Sequence, residues 1–225
     1  MRKLTVRIAI GIAVCAAVSA AVIAGLQQPF PPAEFEFQQF RPHMGYLLLE
    51  PFPILVKGRA MVPLVAPGKH GAETLFPNMH GSWISLSAAR IHRGADEMLE
   101  VVPESIQRSS FRDSGAVPPT EPLGEVALSG EIVDSKCYLG VMNPGSGRVH
   151  RECAIRCISG GVPPVFIAVD DRGKSHSLWL TGAHGEPLSK RILDYVAEPV
   201  RVNGRLARQG NLTYFRIDLS SLRRE

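Results

Sequence analysis

The sequence has few of the patterns that mark common enzyme and nucleic-acid-binding classes. Its 18 prolines and 21 glycines, with few long periodic segments, argue against an all-helical fold. It has no basic stripe with interleaved aromatic residues, which argues against nucleic-acid binding. C-x-x-C and C-x-x-C-H are absent, so a thioredoxin-like pair and covalent haem attachment are not indicated. Paired acids and a nucleophile elbow are missing too, which favours a binding or accessory protein over an enzyme.

The first 26 residues differ from the rest. An uncharged run of 19 residues, 8–26, is just long enough to cross a hydrocarbon core of about 30 Å as a helix. A secretory signal peptide cleaved after Ala20 or Ala24 is the alternative, but the run is longer than the usual apolar region of such peptides. We therefore expect a retained anchor with the remaining chain exported. The basic residues that precede the run should stay in the cytoplasm, and they are Arg2, Lys3 and Arg7.

Charge and cysteine content of the exported part follow from this boundary. Without the three leader cations, 22 Lys and Arg face 21 Asp and Glu, so the exported part is near neutral. Cys15 lies inside the apolar run, which leaves three of the four cysteines outside. An exported compartment favours disulfides, but three is an odd number, and one thiol remains for a metal, a partner or a reaction.

Proline-rich and glycine-rich stretches divide the remaining chain. Short alternating segments between them predict strands, and about five strands per unit are typical of an OB-type barrel. We therefore predict a mainly β fold with two small OB-like barrels after the apolar helix. A short helix is predicted from Ser189 to Val196, with Ser189 as its N-cap. The predicted divisions are an anchor 1–26, a spacer 27–43, a barrel 44–108, a linker 109–124, and a barrel 125–225 with a Cys/His insertion at 137–164.

The two barrel segments are similar to each other. Ile84–Ala88 corresponds to Val200–Gly204, and the correspondence continues without a gap through Gly94 and Gly210. Each copy has an alternating strand, a turn and a second alternating strand, the pattern of a hairpin. Chance agreement among apolar strands is the alternative. The second copy is longer, and the Cys/His segment accounts for most of the excess.

The inserted segment contains a set of soft metal ligands. If residues 149–158 are helical, His150, Cys153 and Cys157 are spaced i, i+3 and i+7 and lie within about 60° on one face. Cys137 precedes them by a Gly-rich turn and can fold back over that face. A Cys3His set suits zinc or copper, and Met142 would be an additional soft ligand for Cu(I).

Other interpretations of these residues remain open. A disulfide from Cys137 to Cys153 or Cys157 would fix the insertion to the barrel. A reactive cysteine with His150 as its base, oriented by Asp134, is a further alternative. Both readings leave the following glycines, Gly160 and Gly161, with a mainly structural role, because either can end the helix in a left-handed conformation.

The Cys/His segment resembles a group of bacterial exported or membrane-anchored small β-barrel proteins. The shared pattern is G-x-[IV]-x-D-x-x-C…H-x-x-C-A-x-x-C…G-G, and the resemblance covers roughly residues 128–220. On this chain it implies a set of seven site residues: Asp134, Cys137, His150, Cys153, Cys157, Gly160 and Gly161. It implies no reaction.

These observations lead to three hypotheses. The first is a single-pass protein of a bacterial inner membrane with periplasmic barrels, whose Cys/His site binds zinc or copper and serves a respiratory or redox assembly. The second is a structural envelope protein whose cysteines form a stabilising disulfide. The third is a thiol-based redox enzyme.

Overall fold

The computed structural model describes residues 2–26, 33–111, 117–170, 173–188 and 190–225. The chain forms two units, one of residues 1–31 and one of residues 32–225. The first contains helix α1, Arg2–Leu26. Its segment Leu4–Gly25 is long and apolar enough to cross a membrane, a test that a signal sequence also passes. The second unit is built mainly of strands, so the predicted β class and the apolar N-terminal helix are both confirmed.

The first half of the second unit closes into a five-stranded barrel. The strands of this half are β1 Ala33–Phe35, β2 Arg41–Leu48, β3 Ile54–Lys57, β4 Ala60–Val65, β5 Ser82–Arg93, β6 Asp96–Val101 and β7 Gln107–Arg108. They pair in the order β5-β2-β3-β4-β6, and β6 pairs back with β5. All pairs of this ring are antiparallel except β4 with β6. The short strands β1 and β7 pair with β5 outside the ring.

The second half contains β8 Thr120–Asp134, α2 Arg151–Ser159, β9 Pro164–Val169, β10 Ser175–Gly182, β11 Pro199–Gln209, β12 Leu212–Ile217 and β13 Arg223–Arg224. Five of its strands form a ring in the order β12-β10-β9-β8-β11, which the β11–β12 pair closes. The parallel pair of this ring is β10 with β12. Gly204 lies within β11, where a Cβ would overlap the carbonyl oxygen of Arg216, so glycine permits the close bend.

Two predicted connections contain strands. In the predicted spacer 27–43, β1 pairs with β5 and β2 begins at Arg41; residues 27–32 lie outside the described residues. In the predicted linker 109–124, residues 112–116 also lie outside the described residues. The strand β8 already begins at Thr120, within the predicted linker, and pairs with the carboxyl-terminal end of β11. Pro122 is tolerated because it lies at a register shift of that pairing.

The predicted helix from Ser189 to Val196 is a 3₁₀ helix, Lys190–Tyr195. Ser189, the predicted N-cap, lies outside the described residues. Ile192 and Val196 are fully buried, so the apolar side chains predicted to share one face do pack against the core.

The two rings share one apolar core cluster. Phe52 of the first ring packs on Trp179 and Tyr214 of the second, with ring centroids 5.4 and 6.4 Å apart. The Asn211 side chain accepts a hydrogen bond of 2.6 Å from the Met61 amide across the same boundary. Cys137 and Cys157 belong to this shared cluster. These two cysteines of the Cys/His segment are therefore buried where the rings meet.

Candidate metal centre

The Cys/His insertion leaves the second ring at the end of β8 and returns at β9. A wide helical turn, Cys137–Val141, comes first, and a 3₁₀ turn, Arg148–His150, leads into α2. Gly161 follows α2 with a φ of +95°, in the left-handed region that favours glycine. The sequence placed both the helix and its glycine end correctly.

The predicted ligands converge. One ligand atom each from Cys137, His150 and Cys153 lie within 4.8 Å of one another, and the same holds for Asp134, Cys137 and Cys157. The sulfur atoms of Cys137 and Cys153 are 3.9 Å apart. Cys137 thus connects both groups, as expected for a residue that folds back over the face of α2. These five residues lie close enough together to bind a metal ion.

Asp134 connects the imidazole to the thiol segment. Its Oδ2 lies 3.0 Å from His150 Nε2, and its Oδ1 accepts a hydrogen bond of 2.8 Å from the Cys137 amide. Asp134 and His150 are both buried. Because a carboxylate accepts, Nε2 donates to Asp134, and Nδ1 is then the ring nitrogen whose lone pair could coordinate a metal ion.

The thiols interact with one another. A hydrogen bond to Cys157, together with burial and the nearby Asp134 carboxylate, raises the pKa of Cys137 well above its usual value. The same hydrogen bond from Cys137 lowers the pKa of Cys157. The two opposite shifts have the same cause, the contact between the Cys137 and Cys157 thiols.

A residue of the first ring also reaches the centre. Lys69 Nζ donates to Cys153 Sγ at 2.7 Å, and this hydrogen bond raises the pKa of Lys69. Sequence analysis did not identify Lys69 as part of the centre. No local pattern joins two residues 84 positions apart.

Lys136, between Asp134 and Cys137, is a second residue that sequence reasoning missed. Its side chain is only 3% exposed and forms an ion pair with Glu100 of the first ring. Its ammonium also donates to the carbonyl oxygens of Ala66 and Gly68, at 2.8 and 2.6 Å. A buried lysine requires partners of this kind. Lys136 therefore fastens the loop that carries Lys69.

Gly160 adds a backbone contact to the same loop. Its carbonyl oxygen accepts a hydrogen bond of 2.9 Å from the Gly71 amide. A Cβ on Gly160 would overlap the carbonyl oxygen of Lys69. Glycine at position 160 is thus needed for the close approach of the first ring, whereas the left-handed conformation after α2 is at Gly161.

Met142, the predicted additional soft ligand, lies just after the wide turn. Its side chain is 46% exposed, in contrast to the buried Cys137, His150 and Cys157. Its backbone amide donates to the Cys137 carbonyl oxygen at 3.2 Å. Met142 therefore closes the turn Cys137–Val141 through its backbone amide.

All four cysteines, Cys15 included, are free. The predicted bridge from Cys137 to Cys153 or Cys157 is not present, since a disulfide requires sulfur atoms about 2.05 Å apart and Cys137 and Cys153 are separated by 3.9 Å. The disulfide interpretation is therefore unsupported, and the thiols remain available as ligands.

Function has to be inferred from the chemistry of this centre. Three thiols and an imidazole, mostly buried and joined by one carboxylate, form a set of soft and borderline donors. No protein-family model, curated protein or solved structure matches the chain.

Proposed function

We propose that this protein binds one metal ion, zinc in preference to copper, through Cys137, His150, Cys153 and Cys157. The proposal includes a membrane anchor formed by α1 and an exported location for the rest of the chain. The protein would act as an accessory component of a membrane or periplasmic assembly of respiratory or redox function. It would not act as an enzyme.

The separation of two sulfur atoms carries the proposal. A tetrahedral zinc ion with Zn–S bonds of about 2.3 Å holds its sulfur ligands about 3.8 Å apart. Cys137 and Cys153 are 3.9 Å apart, with a histidine ring nitrogen in the same group. This spacing matches two corners of a thiolate–zinc tetrahedron.

The contacts of Asp134 add support. Histidine ligands of metals usually donate their second ring nitrogen to a carboxylate, which orients the ring and raises its basicity. Asp134 Oδ2 lies 3.0 Å from His150 Nε2, which corresponds to this arrangement. We assign Asp134 to orientation of His150 and Cys137, with Cys157 as the fourth ligand.

Burial favours a binding role over catalysis. Structural zinc sites have four protein ligands, whereas catalytic sites keep one position open to water or substrate. Cys137, Cys157 and His150 are almost fully buried, and Cys153 is the proposed ligand with partly exposed surface. A full set of four buried or half-buried ligands leaves no position for substrate.

The proposed location also fits the thiols. The basic residues at the amino-terminal end of α1 favour export of the chain that follows the helix, into a compartment where the environment is oxidising. Free thiols 3.9 Å apart would be exposed to oxidation in that compartment. Coordination by a metal ion protects them, which supports a metal-bound resting form.

We further propose that each ring is an OB-type barrel and that the rings arose as a repeat. Each is a five-stranded ring with one parallel pair, formed by its third and fifth strands. The resemblance of residues 128–220 to bacterial exported small β-barrel proteins agrees with this proposal. The Cys/His insertion would then distinguish the second barrel from the first.

Elemental analysis of the full chain tests the metal proposal. The protein is purified from membranes in detergent, without chelator or reductant, as wild type and as Cys153→Ser, Cys157→Ser and Cys15→Ser. We expect about one zinc per wild-type chain, loss of most of it in the first two variants, and full retention in Cys15→Ser, whose cysteine lies in α1.

Wild-type protein with no metal above the buffer background contradicts the proposal. One copper per chain in place of zinc would support the proposed ligand set and contradict the preference for zinc. Mass mapping of the same samples separates the alternatives: a quantitative bridge from Cys137 to Cys153 or Cys157 would favour the structural envelope protein. One cysteine that alkylates far faster than the others in metal-free wild type would favour the thiol enzyme.

A further inference from the structure

We propose that Lys69 of the first ring is a positioning residue of the metal centre in the second ring. Its ammonium would balance the negative charge of the metal–thiolate complex and hold Cys153 in place. Ion affinity and Cys153 reactivity would then depend on how the first ring docks. This inference rests on the proposed metal-binding function and adds a regulatory contact to the same site.

The contact itself is direct. Lys69 Nζ lies 2.7 Å from Cys153 Sγ, so the ammonium is in direct contact with the sulfur atom. Cys153 is the half-exposed member of the proposed ligand set, while Cys137 and Cys157 are buried. Lys69 therefore covers the side of the centre that solvent can reach.

Three contacts fix the Lys69 backbone although its side chain lies at the surface. Lys136 donates to the carbonyl oxygens of Ala66 and Gly68, on the amino-terminal side of Lys69. On the other side, the Gly71 amide donates to the Gly160 carbonyl oxygen at 2.9 Å. Because both sides are held by the second ring, the position of Lys69 is set by the inter-ring contact.

Charge balance gives Lys69 its proposed effect. Three thiolates and one divalent ion, with a neutral imidazole, have a net charge of −1, and the Asp134 carboxylate adds a further negative charge nearby. A cation in hydrogen-bond contact with a ligand thiolate stabilises such a complex and makes the sulfur less nucleophilic. Loss of an outer contact of this kind typically weakens metal affinity about 10- to 100-fold.

Lysine variants of the full chain in detergent test the inference. Lys69→Met retains chain length without charge, Lys69→Arg retains charge, and Lys57→Met removes an exposed lysine elsewhere on the first ring. Zinc affinity is measured by chelator competition. We expect about 10- to 100-fold weaker binding for Lys69→Met, affinity close to wild type for Lys69→Arg, and no change for Lys57→Met.

Alkylation of the zinc-loaded protein provides a readout that a merely structural role would not change. With Lys69→Met, Cys153 should react faster relative to Cys157, and Lys69→Arg should restore the wild-type ratio. Equal zinc affinity and an equal ratio in wild type and Lys69→Met would overturn the inference while leaving the metal site intact. Wild-type protein that binds no zinc in the titration would overturn the proposed function, and this inference with it.

Discussion

Asp134 uses both of its carboxylate oxygens, one on the His150 ring and one on the Cys137 amide. Such a residue aligns two ligands at once without being required as a ligand itself. The negative charge of its carboxylate also raises the basicity of the His150 ring, which makes the ring a stronger metal ligand.

Asp134→Asn should therefore lower zinc affinity about 10- to 100-fold while leaving the stoichiometry at saturating zinc unchanged. Chelator competition measures this change. Asp170→Asn is a matched control, because Asp170 contacts His176 at the same 3.0 Å but both side chains are exposed. Equal effects of the two substitutions would contradict the role assigned to Asp134.

At this scale the sequence was informative where residues are close along the chain. The spacing of Cys153 and Cys157 placed both on α2, and His150 lies in the 3₁₀ turn directly before it. Lys69 and Lys136 were missed because their roles depend on how two rings pack, and no pattern in a single segment contains that information.

Helix α2 and the loop 66–71 are the elements that bring the centre and the first ring together. The loop approaches the end of α2 so closely that the carbonyl oxygen of Lys69 would overlap a Cβ on Gly160. This position therefore accepts no side chain without movement of the loop.

Gly160→Ala should destabilise the protein by about 1–3 kcal/mol, the usual cost of forcing extra volume into a packed contact. The loop should move and shift Lys69, so zinc affinity should fall even though every ligand is retained. Thermal unfolding and chelator competition measure the two effects. Ser159→Ala, at the exposed preceding residue, is the control; a Gly160→Ala protein as stable and as tight in zinc binding as this control would contradict the prediction.

Element boundaries show why composition alone misleads. The Pro- and Gly-rich stretch 109–124 has the composition of a linker, yet its last five residues extend β8. These residues supply hydrogen-bond partners for the far half of β11. Pro122, which has no amide hydrogen to donate, lies at the register shift of this pairing, where a proline is tolerated. That half of β11 lies more than 80 residues away along the chain and is not visible in the local pattern.

Across the whole molecule, the two rings are joined by a shared apolar cluster and a buried ion pair. Lys136 and Glu100 come from different rings, and both side chains are largely buried. Removal of one partner from such a pair leaves a buried charge unmatched, which is why these pairs are sensitive to single substitutions.

Glu100→Gln should lower the free energy of unfolding by about 3 kcal/mol, the lower end of the range for breaking a buried pair. Denaturant unfolding followed by tryptophan fluorescence measures it. Arg148→Gln, at a surface pair with Glu198 in which Arg148 is 79% exposed, should cost less than about 1 kcal/mol. A loss for Glu100→Gln no larger than that of this surface variant would contradict the buried role of the pair.

The short sequence separation of the proposed ligands sets an order of assembly. All four lie between Cys137 and Cys157, so little chain entropy is lost in gathering them around an ion. Lys69 must arrive from 84 residues away, after both rings have their strands. We expect the four ligands to bind the ion first, and the ammonium of Lys69 to balance the negative charge of the metal–thiolate complex only later. The net charge at the centre would then differ between a protein whose two rings have docked and one whose rings have not.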